Sequence, residues 1–328
     1  MSELRQNKVT RQWTIFAPER VERPRDVLRC AGPAGPSPVI DPRCPFCPGD
    51  EQMVLSLILE LPDGHGGWRT RVAPNKYPIL TPDAGELASD QGVYVTRPGQ
   101  GRHEVIIETP RHNEDLAFMA GEGARAVIET YHRRYVDLSR EGNPAMTFIF
   151  RNHGPGAGTS LAHPHSQLVS TPMVPPRIRW QEEMAQQYFN DWGRCGYCDM
   201  LKIEERDRQR LVLENASFVA FVPFAAEAPF EMWIVPRRHQ SDFGSLVDAE
   251  KADLAEALQG ALCRLARKAG DPDYNCMIHT AAGQRPDAPY LHWYVQILPR
   301  LSCEAGFEVG SGIGVNLSLP EEDAHLLR

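Results

Sequence analysis

Cys44-x-x-Cys47, His112 and His163 form a donor set that recurs as Cys195-x-x-Cys198, His239 and His292, with similar spacing between the last two histidines of each set. Two thiolates from one turn and two imidazoles are the donors that tetrahedral Zn2+ takes. A lone Cys-x-x-Cys is also compatible with a redox pair or two buried thiols. A thioredoxin-like motif, however, places its thiols on a helix in a βαβ unit. Cys44 and Cys47 are instead each followed by proline (Pro45 and Pro48), which suits a metal knuckle. Four protein ligands leave no open coordination position, so both sites are expected to be structural zinc sites.

Two residues beyond the last histidine the copies differ: His165 in the first, Tyr294 in the second. Residues two apart on a strand share a face, so a strand here would put His163, His165 and Gln167 on one side. An imidazole whose other nitrogen is hydrogen-bonded is a competent nucleophile toward phosphorus. Gln167 can donate to a phosphoryl oxygen. Directly upstream runs Asn152-His153-Gly154-Pro155-Gly156-Ala157-Gly158-Thr159-Ser160. Its glycines permit close backbone approach to a phosphate, and Asn152 and Ser160 add polar contacts. His-x-His alone is common by chance; the Gly-rich loop and Gln167 make this copy a catalytic candidate. A neutral phenol with pKa near ~10 is a poor nucleophile, so Tyr294 is expected only to pack.

The elements that must hold these residues follow from periodicity. Residues 69–74, 92–97, 103–109, 146–150 and 161–170 read as strands, and 115–140 as a long helix. The order repeats: strands at 217–222 and 230–235, a helix at 246–269 with Leu254, Leu258, Leu262 and Leu265 on one face, then strands at 274–279 and 291–298. Residues 172–194, with a helix at 180–192, connect the halves. The expectation is an α+β fold of two duplicated domains, 1–175 and 176–328. Each would hold an antiparallel sheet, a long helix and a structural zinc site, and only the first would be armed.

With 328 residues, 42% hydrophobic and 24% charged, the chain has ordinary globular composition and ample length for two domains. A net charge of −8 argues against a nucleic-acid or membrane-surface binder. No stretch approaches the ~20 apolar residues of a membrane helix, and the first residues lack the apolar core of a signal peptide. Eight cysteines are too sparse for a disulfide scaffold. A cytoplasmic enzyme is expected.

Cys44-Pro-Phe-Cys47, His112, Asn152, Gly158, Ser160 and His163-Pro-His165-Ser-Gln167 resemble the galactose-1-phosphate uridylyltransferase family, within the histidine-triad superfamily. The resemblance covers nearly the whole chain. It implies a pair of histidine-triad-like halves, often assembled as homodimers. It also implies ping-pong transfer, in which His165 takes a nucleotidyl group from a nucleotide sugar and passes it to a sugar 1-phosphate or phosphate. The segment 12–24 is similar to the family's N-terminal segment, whose arginines line the nucleotide site; the matching residues are Arg20 and Arg23. Asn75 lies in Pro74-Asn75-Lys76-Tyr77-Pro78, which resembles a nucleotide-binding stretch. The best-known members carry Lys, Tyr and Glu near the C-terminus to hold the hexose, where this chain has Gly306, Ser311 and Gly312. Together with the second metal set, this resembles the two-zinc branch that includes ADP-glucose phosphorylase. The expected activity is UDP-glucose–hexose-1-phosphate uridylyl transfer, with phosphorolysis of ADP-glucose as the alternative and a non-catalytic, zinc-stapled nucleotide-binding protein as a further one.

Overall fold

The computed structural model describes residues 2–22, 38–49, 54, 56–85, 89–141, 144–283, 285–302 and 305–328. The chain opens with β1 (Glu3–Gln6) and β2 (Trp13–Phe16). The first half then runs β3 (Leu59–Pro62), β4 (Trp68–Pro74), a hairpin of β5 (Ser89–Gln91) and β6 (Tyr94–Thr96), β7 (Arg102–Ile107), α1 (Gly121–Arg140), β8 (Met146–His153) and β9 (His165–Thr171). Helix α2 (Pro176–Trp192) connects to α3 (Gly196–Asp207), β10 (Leu211–Glu214), β11 (Phe218–Phe221), β12 (Met232–Pro236), α4 (Asp248–Ala269), β13 (Tyr274–His279) and β14 (Tyr294–Pro299). The chain ends with α5 (Gly306–Ser311), β15 (Gly314–Asn316) and α6 (Pro320–Leu327). Strand β15 pairs in parallel with β2 and so ties the C-terminal segment to the N-terminal one.

Ten strands form one sheet in the order β10-β11-β12-β14-β13-β8-β9-β7-β4-β3, every pairing antiparallel. Read from either edge toward the centre, the order is the same: two hairpin strands, a third strand, then the two that follow the long helix in reverse sequence. β8 and β13 meet at the centre.

One face of this sheet is covered by α1 and α4. Val127, Ile128, Tyr131 and Leu138 of α1 and Leu254, Leu258, Leu262 and Leu265 of α4 share a core with Val72, Ile106, Ile149, Leu168, Ile234, Ile278 and Val295. These side chains recur at helical spacing on the helices and at alternate strand positions, so one apolar layer runs under both halves. Truncating a leucine such as Leu258 to alanine would cost about 2–5 kcal/mol.

On the opposite face the halves differ. In the second half, Val219, Phe221, Trp233, Val235 and Tyr294 pack against Ala185 of α2 and Tyr197 and Leu201 of α3. In the first half, among the described residues, the same face carries a small cluster of Trp68, Val105 and Ile107, with Phe46 against it.

Several boundaries differ from the sequence reading. The helix expected over 115–140 begins at Gly121, because Asp115 takes another role. Its Oδ1 accepts the Ala117 N–H at 2.8 Å and its Oδ2 pairs with Arg151 at 2.6 Å. The strand expected over 161–170 begins at His165; Pro164 has no N–H to give the ladder, although its carbonyl accepts from the Glu108 N–H. Likewise the strand expected from 291 begins at Tyr294. His163 and His292 therefore precede their strands, and only His165 and Gln167 share a strand face. Nothing in the residue pattern pointed to α3, which begins at the second cysteine pair with Cys195 as its N-cap.

Candidate active site and metal centres

The first donor set converges. The ligand atoms of Cys44, Cys47, His112 and His163 all lie within 4.8 Å of one another, and all four residues are buried. Cys47 Sγ is 3.6 Å from both His112 Nδ1 and His163 Nδ1. A tetrahedral zinc with its usual bond lengths sets sulfur and nitrogen ligands roughly 3.5 Å apart, so the donor set fits that ion. The outer contacts suit it as well. His163 Nε2–H donates to the Thr109 carbonyl at 2.8 Å, leaving Nδ1 as the donor to a metal. Backbone N–H groups of Asp41 and Phe46 point at Cys47 Sγ and Cys44 Sγ. Burial pulls the His163 pKa down to about 4, which keeps the ring in its ligating neutral form.

The second set converges in the same way. Cys198 Sγ lies 3.3 Å from His239 Nδ1 and 3.5 Å from His292 Nδ1. The Nε2 atoms of His239 and His292 face the carbonyls of Ala288 and Pro236. This site is more open than the first: His239 is exposed and Cys198 only half-buried.

His165 begins β9 beside the first set. Its Nδ1 lies 2.8 Å from the His163 carbonyl. A carbonyl only accepts, so the proton is on Nδ1 and Nε2 keeps its lone pair. Burial lowers the His165 pKa, partly opposed by that hydrogen bond, so the imidazole is neutral at neutral pH. The Phe46 ring packs edge-on against both histidines, with centroids 5.5 Å from His165 and 5.9 Å from His163.

Gln167, two residues on, has its Oε1 2.8 Å from Nε2 of His103 on β7. The same His103 nitrogen lies 3.1 Å from the Asn75 amide nitrogen. Gln167, His103 and Asn75 thus form one cluster. Sequence reasoning placed His103 on a strand and gave it no role; the available signal was a polar residue two before Val105, on the face that Gln167 shares.

The Gly-rich loop is built partly from the other half. Asn152, at the end of β8, accepts at its Oδ1 from Asn275 Nδ2 of β13 at 2.8 Å, and Asn275 also holds the Ala157 carbonyl. The Gly156 N–H donates to Asp273. A Cβ at Gly154 would lie 1.7 Å from that carboxylate, and its φ is +79°, so only glycine fits there. His153 stacks on Tyr274, ring centroids 4.7 Å apart, between Asp115 and Asp271. Burial disfavours its charge, but the two carboxylates outweigh this and raise its pKa to about 9. Gly158 and Ser160 lie exposed in the loop.

Behind the strand, on the helix side, the Arg151 Nε–H is shared by Glu108 Oε1 and Oε2 at 3.2 and 3.0 Å. Glu108 also accepts from Tyr131 and Ser166. This buried network fixes the strand residues on either side of Ser166. No hydrogen bond among the described residues ties Arg20, exposed after β2, to His165 or Gln167. Arg23 lies outside the described residues. A cavity of about 590 Å3 is lined by Arg11, Trp13, Arg177, Arg300, Ser311 and Gly312 among others, and none of His165, Gln167 or Ser160 borders it. The His165 face, where His165, the Gln167 amide and Asn152 at the approach to the Gly-rich loop lie on neighbouring strands, is the candidate site.

Tyr294 occupies the corresponding place in the second half. It lies stacked between Trp233 and His279, at centroid distances of 4.2 and 4.5 Å. The space beside it is about 30 Å3, room for a water and not a nucleotide.

Known proteins match the chain along most of its length. Residues 1–175 match the model of the galactose-1-phosphate uridyl transferase N-terminal domain and residues 181–310 that of its C-terminal domain. The chain belongs to the galactose-1-phosphate uridyl transferase family. It is 36% identical to ADP-glucose phosphorylase of Arabidopsis thaliana, over 99% of this chain and 92% of that protein. It is 29% identical to galactose-1-phosphate uridylyltransferase of Thermotoga maritima, over 100% of this chain and 98% of that protein. The crystal structure of the Arabidopsis thaliana ADP-glucose phosphorylase with bound ADP-glucose superposes with a TM-score of 0.85 at 33% identity, covering 100% of this chain and 98% of that one. A structure described as uridylyltransferase gives 0.76 at 32% identity, over 100% and 97%. Family members bearing these names are nucleotidyl-transferring enzymes. No described helix is long and apolar enough to cross a membrane.

Proposed function

We propose that this chain transfers a nucleotidyl group from a nucleotide sugar to a phosphate-bearing acceptor through a covalent nucleotidyl-His165. The observation that carries this reading is the Nδ1–H bond from His165 to the His163 carbonyl, which leaves Nε2 as a neutral nucleophile. Nε2 attacks the α-phosphorus; a P–N bond forms, the P–O bond to the β-phosphate breaks, and sugar 1-phosphate leaves. An oxygen of the acceptor phosphate then attacks the same phosphorus, the P–N bond breaks, and neutral His165 is restored. Gln167, Ser160 and Asn152 would donate to the phosphoryl oxygens as their charge changes. Gly158 would let the backbone approach, and Asn75, Arg20 and Arg23 would hold the nucleotide.

Cys44, Cys47, His112 and His163 would hold one Zn2+, and Cys195, Cys198, His239 and His292 a second. Both are staples, since four protein ligands leave no open position. The mirrored strand order and the paired metal sets support a duplicated histidine-triad-like unit, 1–175 and 176–328, with one active centre. A cytoplasmic homodimer goes with the same reading.

For base and acceptor, the names of many relatives favour UDP-glucose with a hexose 1-phosphate. A second reading, ADP-glucose with inorganic phosphate, is favoured by the 36% identity and 0.85 TM-score to the plant phosphorylase. Incubation with α-labelled UDP-glucose and, separately, ADP-glucose tests both. Label on the protein from one substrate names the base, and release by galactose 1-phosphate or by phosphate names the acceptor. Label from neither would favour the non-catalytic binding protein.

A further inference from the structure

We infer that His103 is a positioning residue that sets which way the Gln167 amide faces; this rests on Gln167 being the phosphoryl donor proposed above. The Ile79 N–H donates to His103 Nδ1 at 3.2 Å, so Nδ1 is unprotonated. Burial lowers the His103 pKa and keeps the ring neutral, so its one proton is on Nε2. That N–H has two neighbours, the Gln167 Oε1 at 2.8 Å and the Asn75 amide nitrogen at 3.1 Å. Asn75 is itself fixed, because its Oδ1 accepts the Tyr77 N–H. Only the Gln167 carbonyl can take the proton. The Gln167 NH2 group is therefore turned away from His103 and kept as a donor.

The second half holds the same glutamine with its flanks exchanged. Val105 pairs with Gln167, and Trp233 pairs with Gln296. His103 on β7 and Glu231, immediately before β12, each two residues earlier, thus occupy equivalent places. Phe150 pairs with Gln167, and Met277 with Gln296, which makes Asn152 and His279 equivalent on β8 and β13. Around Gln296 the donor sits on the β13 side: His279 Nε2 lies 2.8 Å from Gln296 Oε1. The acceptor sits on the β12 side, where Gln296 Nε2 donates to Glu231 Oε1 at 2.8 Å. A carboxylate at this place takes the amide donor for itself, and Glu231 is buried with it. A histidine at this place instead occupies the carbonyl and frees the donor.

Single-turnover labelling with whichever α-labelled nucleotide sugar labels the wild type tests this on the full chain. Gln167→Ala should slow labelling about 10²-fold, as loss of one phosphoryl-oxygen donor does elsewhere; a wild-type rate there would overturn the role of Gln167 itself. His103→Glu should slow it about as much as Gln167→Ala, and in a Gln167→Ala background it should add no further loss. His103→Gln, which keeps a donor at the place, should label at least about 10-fold faster than His103→Ala. A His103→Glu variant at the wild-type rate while Gln167→Ala is slow would overturn the inference. So would equal losses from His103→Glu in both backgrounds, which mark a merely structural residue. If His103→Glu does not fold, the Gln and Ala variants decide: equal rates overturn the inference, and faster labelling by Gln supports it.

Discussion

The His163 carbonyl accepts the Nδ1–H of His165 at 2.8 Å, while the imidazole of His163 turns its own Nδ1 toward Cys47 Sγ at 3.6 Å. One residue thus joins the first Cys/His cluster to the proposed nucleophile, by its side chain on one side and its backbone on the other. The two histidines should therefore separate cleanly in mutants. His163→Ala should lose the first of two zinc equivalents and unfold at lower temperature. His165→Ala should keep both equivalents, and its melting temperature should stay close to wild type. Metal content by atomic emission and thermal unfolding read both. If His165→Ala loses a metal and His163→Ala keeps both, the roles are exchanged.

The two staples should differ in lability. All four donors of the first set are buried, whereas His239 is exposed in the second. A competing chelator should remove one equivalent quickly, and Cys198→Ser should abolish that fast phase. Most activity should survive the fast phase and be lost in the slow one, since only the first set touches His165. Loss of activity in step with the fast phase would contradict this.

His153 gives the Gly-rich loop a pH limit. Its pKa rises from 6.5 in the unfolded chain to about 9 in the fold. Its contribution to stability is then fully present below pH 6.5 and is lost as pH climbs through about 9. His153→Gln should remove that alkaline fall in unfolding free energy between these values while leaving the acid side unchanged. An identical alkaline profile in the variant would show that the loop is anchored otherwise.

The second half should not be revivable by one substitution. Tyr294→His places an imidazole in a face closed by α2 and α3, beside a space of about 30 Å3. The double variant His165→Ala/Tyr294→His should take no label from a nucleotide sugar. Measurable label there would mean that the covered face opens to substrate.

Much of this was legible in the sequence because it is written in spacing. The paired cysteines and histidines, the strand bearing His165 and Gln167, and the leucine stripe of α4 all obey simple periods. What was not legible depends on contacts across strands. His103 has meaning only beside Gln167, 64 positions away. Asp115 looked like the start of a helix, yet Arg151 claims it. The anchoring of the Gly-rich loop comes from Asp273 and Asn275 of the other half, which no local pattern reveals. Pro164 was in plain view, and its missing N–H predicts the later start of β9.

The most direct test of the account is the covalent intermediate itself. Wild-type protein mixed with α-labelled UDP-glucose or ADP-glucose, quenched in base and digested, should yield one acid-labile labelled peptide carrying His165, and His165→Ala should yield none. Label that survives in His165→Ala, or that maps to another residue, would contradict it.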